Sequence, residues 1–124
     1  MVERVERLCS VTDWMRAYDE INQFEEQLTT AGAVVVKFWL QISPAEQLRR
    51  FREREKTAFK RFKITTDDWR NRTKAKAYEA ALGDVVDRTS TEIAPWTLVE
   101  AEDKRYARLK ILKTIARRLE AALG

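Results

Sequence analysis

The sequence predicts an α/β fold with two parallel strands and about four helices. Two short β-branched and aromatic runs, near 33–40 and 96–101, stand among stretches with the three- and four-residue apolar spacing of helices. Helices and strands alternate along the chain, which is the order that parallel pairing requires. A length of 124 residues, 44% of them hydrophobic, with three Gly and two Pro, fits one folded domain or a piece of one.

The first helix spans residues 11–30. Trp14, Ala17, Tyr18, Ile21, Phe24, Glu25 and Leu28 supply its stripe, Ser10 or Thr12 caps it, and Asp13 lies in its first turn. Ala31-Gly32 ends it. Residues 33–40 read as a strand. Their apolar run is nearly continuous, broken at Lys37, which is the pattern of a strand covered on both faces. Ser43-Pro44 opens the next helix, with Glu46 at its third position, and this helix runs through Leu48 and Phe51 to about Glu55.

Lys56 to Ile64 has no clean period and reads as a loop or frayed helix end. Thr65 or Thr66 then caps a helix with Asp67 and Asp68 in its first turn. Its apolar face is Trp69, Ala77, Tyr78, Ala81, Leu82, Val85 and Val86, and it extends to about Thr89. Ile93-Ala94-Pro95 breaks the chain. Trp96 to Ala101 is the second strand. Glu102 and Asp103 begin the last helix, whose stripe is Tyr106, Leu109, Leu112, Ile115, Leu119 and Leu123. Both strands read as central, and two buried strands need neighbours, supplied by another chain or by a missing part of this one.

Composition excludes several chemistries. Cys9 is the only cysteine and histidine is absent, so Ser-His and Cys-His nucleophile pairs, an internal disulfide and Cys-based zinc sites are all excluded. Neither GxxxxGK[ST] nor GxGxxG occurs. The longest apolar run, Ala31 to Leu40, is too short to span a membrane, and no secretory leader is visible. The expected compartment is the cytoplasm.

The formal net charge of +4 is unevenly spread. Residues 1–48 carry net −4, residues 77–124 carry zero, and residues 49–76 carry twelve basic and four acidic side chains. Such a block creates a field for polyanions. Arg50 and Arg54 share one helix face, Lys60 and Lys63 lie just beyond, and Phe59 and Phe62 can anchor the segment. Interleaved cations and aromatics also suit nucleic acid, although no nucleic-acid motif accompanies them. Glu100, Asp103 and Lys104 stand at the carboxyl end of the second strand, where ligands of open α/β sheets sit. The alternative for Glu102 and Asp103 is helix capping. Trp14, Trp39 and Trp96 read as core or interface residues.

Taken together, Val34 to Leu40, Glu46-Gln47, Arg50-Phe51, Arg54, Phe59-Lys60-Arg61-Phe62-Lys63-Ile64, Ala94-Pro95-Trp96, Val99 to Lys104 and Tyr106-Ala107-Arg108 resemble the polyphosphate kinase 2 family in order and spacing. Ile64-Thr65, Asp68 to Arg72 and Asp87 to Glu92 look most like the subgroup that phosphorylates AMP. The resemblance implies a P-loop-kinase-like α/β/α sandwich with a helical lid. It also implies magnesium-dependent phosphoryl transfer between inorganic polyphosphate and AMP or ADP. The family's phosphate loop and magnesium-binding Asp motif precede the segment that appears here as Val2-Glu3-Arg4-Val5. The chain therefore resembles the C-terminal part of one such domain (1–124), with 49–76 as basic lid segment, inactive alone and with no metal ligand of its own.

By the same resemblance, Arg54 matches a catalytic lid arginine, Lys60, Arg61 and Lys63 line the polyphosphate path, and Glu3 lies close to it. Asp68 and Arg72 are carried over as nucleotide or lid residues, and Asp103 and Lys104 join them from their place at the end of the second strand. Two positions depart from the family pattern: Ala58 stands where Pro is usual, and Phe62 where many members have Trp. The other reading of the residues is a non-catalytic polyanion-binding module. Unpaired strand edges make a homo-oligomer, or docking to a missing N-terminal half, an expectation of either.

Overall fold

The computed structural model describes residues 1–56, 69 and 72–124. Among them are helices α1 (Val2–Val5), α2 (Val11–Thr30), α3 (Pro44–Lys56), α4 (Ala75–Thr89) and α5 (Lys104–Leu123), and strands β1 (Lys37–Gln41) and β2 (Trp96–Glu100). The strands pair in parallel, from Lys37 opposite Trp96 to Gln41 opposite Glu100. They form a two-stranded sheet, and among the described residues each strand has one neighbour.

Local chemistry sets most boundaries as expected. The Ser10 hydroxyl accepts from the Asp13 N–H at 3.2 Å, making Ser10 the cap of α2. Gly32 follows the helix at φ +96°, a conformation natural to glycine. Val99, Ala101 and Ala107 form a buried cluster on which Phe38, Ile42 and Ile111 pack, so α5 closes over β2. Helix α2 lies against α4, and α1 against both. Arg4 fixes α1 there: its guanidinium pairs with Asp84 at 2.7 Å, donates to the Tyr18 hydroxyl and stacks 4.1 Å from the Trp14 ring.

Three expectations are corrected. The first strand begins at Lys37, not residue 33, because a ladder is only as long as its partner: β2 starts immediately after Pro95, which has no N–H. The preceding segment is held instead by Arg118, which donates to the Val35 and Ile93 carbonyls at 3.1 and 2.9 Å. Nor are the strands covered on both faces here, since Leu40 of β1 and Leu98 of β2 remain 57% and 48% exposed.

The second correction concerns the helix expected from residue 65 to 89. Its start falls outside the described residues, but a turn at Lys74 divides it and α4 begins at Ala75. The third concerns α5, which packs through Ala107 and Ile111, whereas Tyr106, Leu109, Leu112, Leu119 and Leu123 of the expected stripe are exposed. Small Ala107 permits close approach to the sheet, and the leucine stripe lies about a quarter-turn or more away. No described helix is long and apolar enough to cross a membrane.

Candidate functional site

Parallel pairing brings the carboxyl ends of β1 and β2 side by side, and each strand leads directly into a helix. Ile42-Ser43 connects β1 to α3, and Ala101-Glu102-Asp103 connects β2 to α5. Helix N-termini expose unpaired N–H groups and attract anions. Here the protein supplies its own acceptors. The Ser43 hydroxyl accepts from the Glu46 N–H at 3.1 Å. Asp103 accepts from the N–H groups of Arg105 and Tyr106 at 2.9 and 3.3 Å.

Glu102 does not cap its own helix. Its carboxylate reaches across the sheet end and accepts from the Ser43 N–H at 2.7 Å. Hydrogen bonds from Ser43, through its side chain and then its backbone, hold the Glu102 carboxyl below the usual carboxylate range, against the opposing charge of Glu46. Glu46 stands at the third helical position, where a capping-box carboxylate would reach back to Ser43. It is turned along α3 instead. Hydrogen bonds from Arg49 and then Arg50 draw its pKa down to about 2.

The basic face of α3 then divides into engaged and available cations. Arg49 pairs with Glu46 at 2.7 Å and Glu53 at 3.1 Å. Arg50 pairs with Glu46 at 2.8 Å and donates to the carbonyls of Ala101 and Glu102 at 2.8 and 3.1 Å. Arg54, one turn further on the same face, is half-buried and makes no hydrogen bond or ion pair among the described residues. Phe51 is buried beside it, edge-on to Trp69 with ring centroids 5.1 Å apart, and so anchors this face.

The expected site residues distribute as follows. Lys60, Arg61, Lys63 and Asp68 lie outside the described residues, as do Phe59 and Phe62. Asp103 and Lys104 stand beside the base of α3, Asp103 engaged as a cap and Lys104 exposed. Arg72 is half-buried, and its Nε is buried without a hydrogen-bond partner. Glu3 belongs to α1, which packs on α2 and α4. Its carboxyl is lowered by its own backbone N–H and by the terminal ammonium, 3.3 Å away. Surface clefts of about 490 and 640 Å³ border α2 and include none of these residues.

Sequence reasoning missed the joint made by Glu102 and Arg50. Its partners are 59, 51 and 52 residues apart in the chain, and no local spacing signals them. Chemically, the arrangement offers positioned cations. Among the described residues no three His, Cys, Asp or Glu side chains gather as a metal site.

The family model "Polyphosphate kinase 2 (PPK2)" matches residues 1–123. A polyphosphate:AMP phosphotransferase of Pseudomonas syringae pv. tomato is 68% identical over 124 residues, which are all of this chain and 25% of that protein. An ADP-polyphosphate phosphotransferase of Pseudomonas aeruginosa is 34% identical over 111 residues, 90% of this chain and 36% of that one. A crystal structure assigned to a polyphosphate kinase 2 from Pseudomonas aeruginosa PA01 superposes with a TM-score of 0.95 at 63% identity, covering 99% of this chain and 26% of the other. The chain thus spans between a quarter and two-fifths of the length of these relatives.

Proposed function

Because this chain belongs to the polyphosphate kinase 2 family, we propose that it forms the lid-bearing, C-terminal part of an enzyme that transfers phosphoryl groups between inorganic polyphosphate and a nucleotide, most closely AMP. The observation that carries this reading is the division of cations on α3. Arg49 and Arg50 are held by carboxylates and carbonyls, while Arg54 has no partner among the described residues and precedes a further run of cations in the sequence.

In such an enzyme Arg54 would meet charge on the transferring phosphoryl group, and its fixed fork of donors matches phosphate oxygens. Lys60, Arg61 and Lys63 would neutralise the polyphosphate chain. Asp68, Arg72, Asp103 and Lys104 are proposed for the lid and nucleotide, and Glu3 for the edge of the channel. This is electrostatic work by positioned groups, not covalent chemistry. AMP is favoured over ADP by the higher identity to the AMP-named relative, 68% against 34%.

Magnesium is the family's implied cofactor. The carboxylates at this end of the sheet do not fit it, since Glu46 is engaged by arginines, Glu100 by Lys110, and Glu102 and Asp103 by backbone N–H groups. No step here passes through the metal. The absence of a phosphate-loop motif from the 124 residues favours a second reading, polyanion binding without turnover by this chain alone.

A chimera tests the proposal. This chain would replace the matching stretch of the Pseudomonas syringae relative, and magnesium-dependent ADP formation from AMP and polyphosphate would be measured. Retained activity that falls in Arg54→Ala is the expected outcome, with none from the 124-residue chain alone. A chimera that folds yet binds no polyphosphate contradicts the proposal.

A further inference from the structure

We infer that Glu102 is a positioning residue for the basic helix: by capping α3 from the β2–α5 turn, it sets the direction in which Arg54 is presented to polyphosphate. The inference rests on the polyphosphate reading above.

The joint is made from both sides. Glu102 accepts the Ser43 N–H at 2.7 Å, and Arg50 on α3 donates back to the carbonyls of Ala101 and Glu102. The carboxylate that could have capped α3 locally, Glu46, is occupied by Arg49 and Arg50. The base of α3 is therefore fastened to the turn after β2. From Ser43 to Arg54 the helix is a lever of about 16 Å, so a tilt of about 10° at the base would move Arg54 by about 3 Å. That exceeds the tolerance of a hydrogen bond to phosphate.

Charge gives the inference a sign that a purely electrostatic role does not share. Glu102 is an anion beside a cationic element, so simple electrostatics has its removal strengthen polyanion binding. A positioning role has loss of its reach weaken binding instead. Two conservative variants separate charge from reach. Glu102→Gln keeps the acceptor and removes the charge. Glu102→Asp keeps the charge and shortens the side chain by one methylene.

The measurement is the affinity of the full 124-residue chain for a polyphosphate of defined length across a salt series, with hydrogen exchange at the Ser43 amide. The Gln variant should bind at least as tightly as the unmodified chain. The Asp variant should bind roughly three- to tenfold more weakly, the scale of one hydrogen bond. Its salt slope should fall by up to about 0.7–0.9, because a displaced Arg54 no longer meets its phosphate. Ser43 should exchange faster only in the Asp variant. Asp binding as tight as the unmodified chain, or equal Ser43 protection in all three proteins, overturns the inference alone. No polyphosphate binding by the unmodified chain overturns the polyphosphate reading, and the inference with it.

Discussion

Lys37 and Glu25 form an ion pair of 3.0 Å with about nine-tenths of each side chain removed from solvent. The same ammonium donates to the Thr89 carbonyl and lies 5.0 Å from the Trp96 ring centroid. One cation thus joins α2, β1, the end of α4 and the start of β2. A buried pair contributes little net stability against an apolar substitute, but losing one member strands the other. Lys37→Met should therefore destabilise the chain by about 3–5 kcal/mol, and Lys37→Met with Glu25→Leu should recover most of that loss. Urea unfolding of the single and double variants checks this, and equal losses in both would contradict it.

The indole of Trp96 is tied into the same place. Its N–H donates to the Thr89 hydroxyl at 2.8 Å, and Thr89 is fully buried. Thr89→Val keeps shape and branching while removing the acceptor. An unsatisfied buried donor costs about 1–3 kcal/mol, and the variant should lose that much. Denaturant titration measures the loss, and the Trp96 contribution to fluorescence should change with it.

Glu46 supplies a pH dependence. Its folded pKa of about 2 lies below the ordinary value of 4.5, owing to hydrogen bonds from Arg49 and then Arg50. The folded state thus binds this proton less readily than the unfolded state. The ionised group favours folding above about pH 4.5, and that contribution is lost as pH falls toward 2. Glu46→Gln should be less stable than the unmodified chain at pH 6, and the two stability curves should converge toward pH 2. A difference that stays constant across this range would assign the loss to something other than ionisation.

The sequence was legible where a local residue sets a local structure. Ser10, Gly32, the Ser43-Pro44 pair and Pro95 each mark a boundary that the fold respects. It was less legible where partners decide. That Val34 to Val36 stay outside the ladder follows only from where β2 begins, at Trp96. The large residues of α5 suggest one stripe, while the contact runs through small Ala107. At the candidate site, spacing shows that Arg50 and Arg54 share one helix face, but not the engagement of Arg50 by distant carbonyls, because such contacts leave no periodic trace. The same holds for Lys37, which reads as an interruption of an apolar run and is in fact its buried tie.

That division of the arginines yields the sharpest functional prediction. If the cations of α3 acted only through net charge, Arg49→Ala and Arg54→Ala would weaken polyphosphate binding alike. Arg49 is held by Glu46 and Glu53, so its removal releases no phosphate contact. Arg54 has no partner among the described residues, so its removal should delete one. The expected result is a loss of about tenfold for Arg54→Ala, with the salt slope of log affinity falling by about 0.7–0.9, as one fewer phosphate is neutralised. Arg49→Ala should change affinity by no more than about twofold and leave the slope in place. Binding isotherms at four or five salt concentrations decide the matter. Equal slopes for the two variants would show that α3 attracts the polyanion by its field rather than by a contact at Arg54.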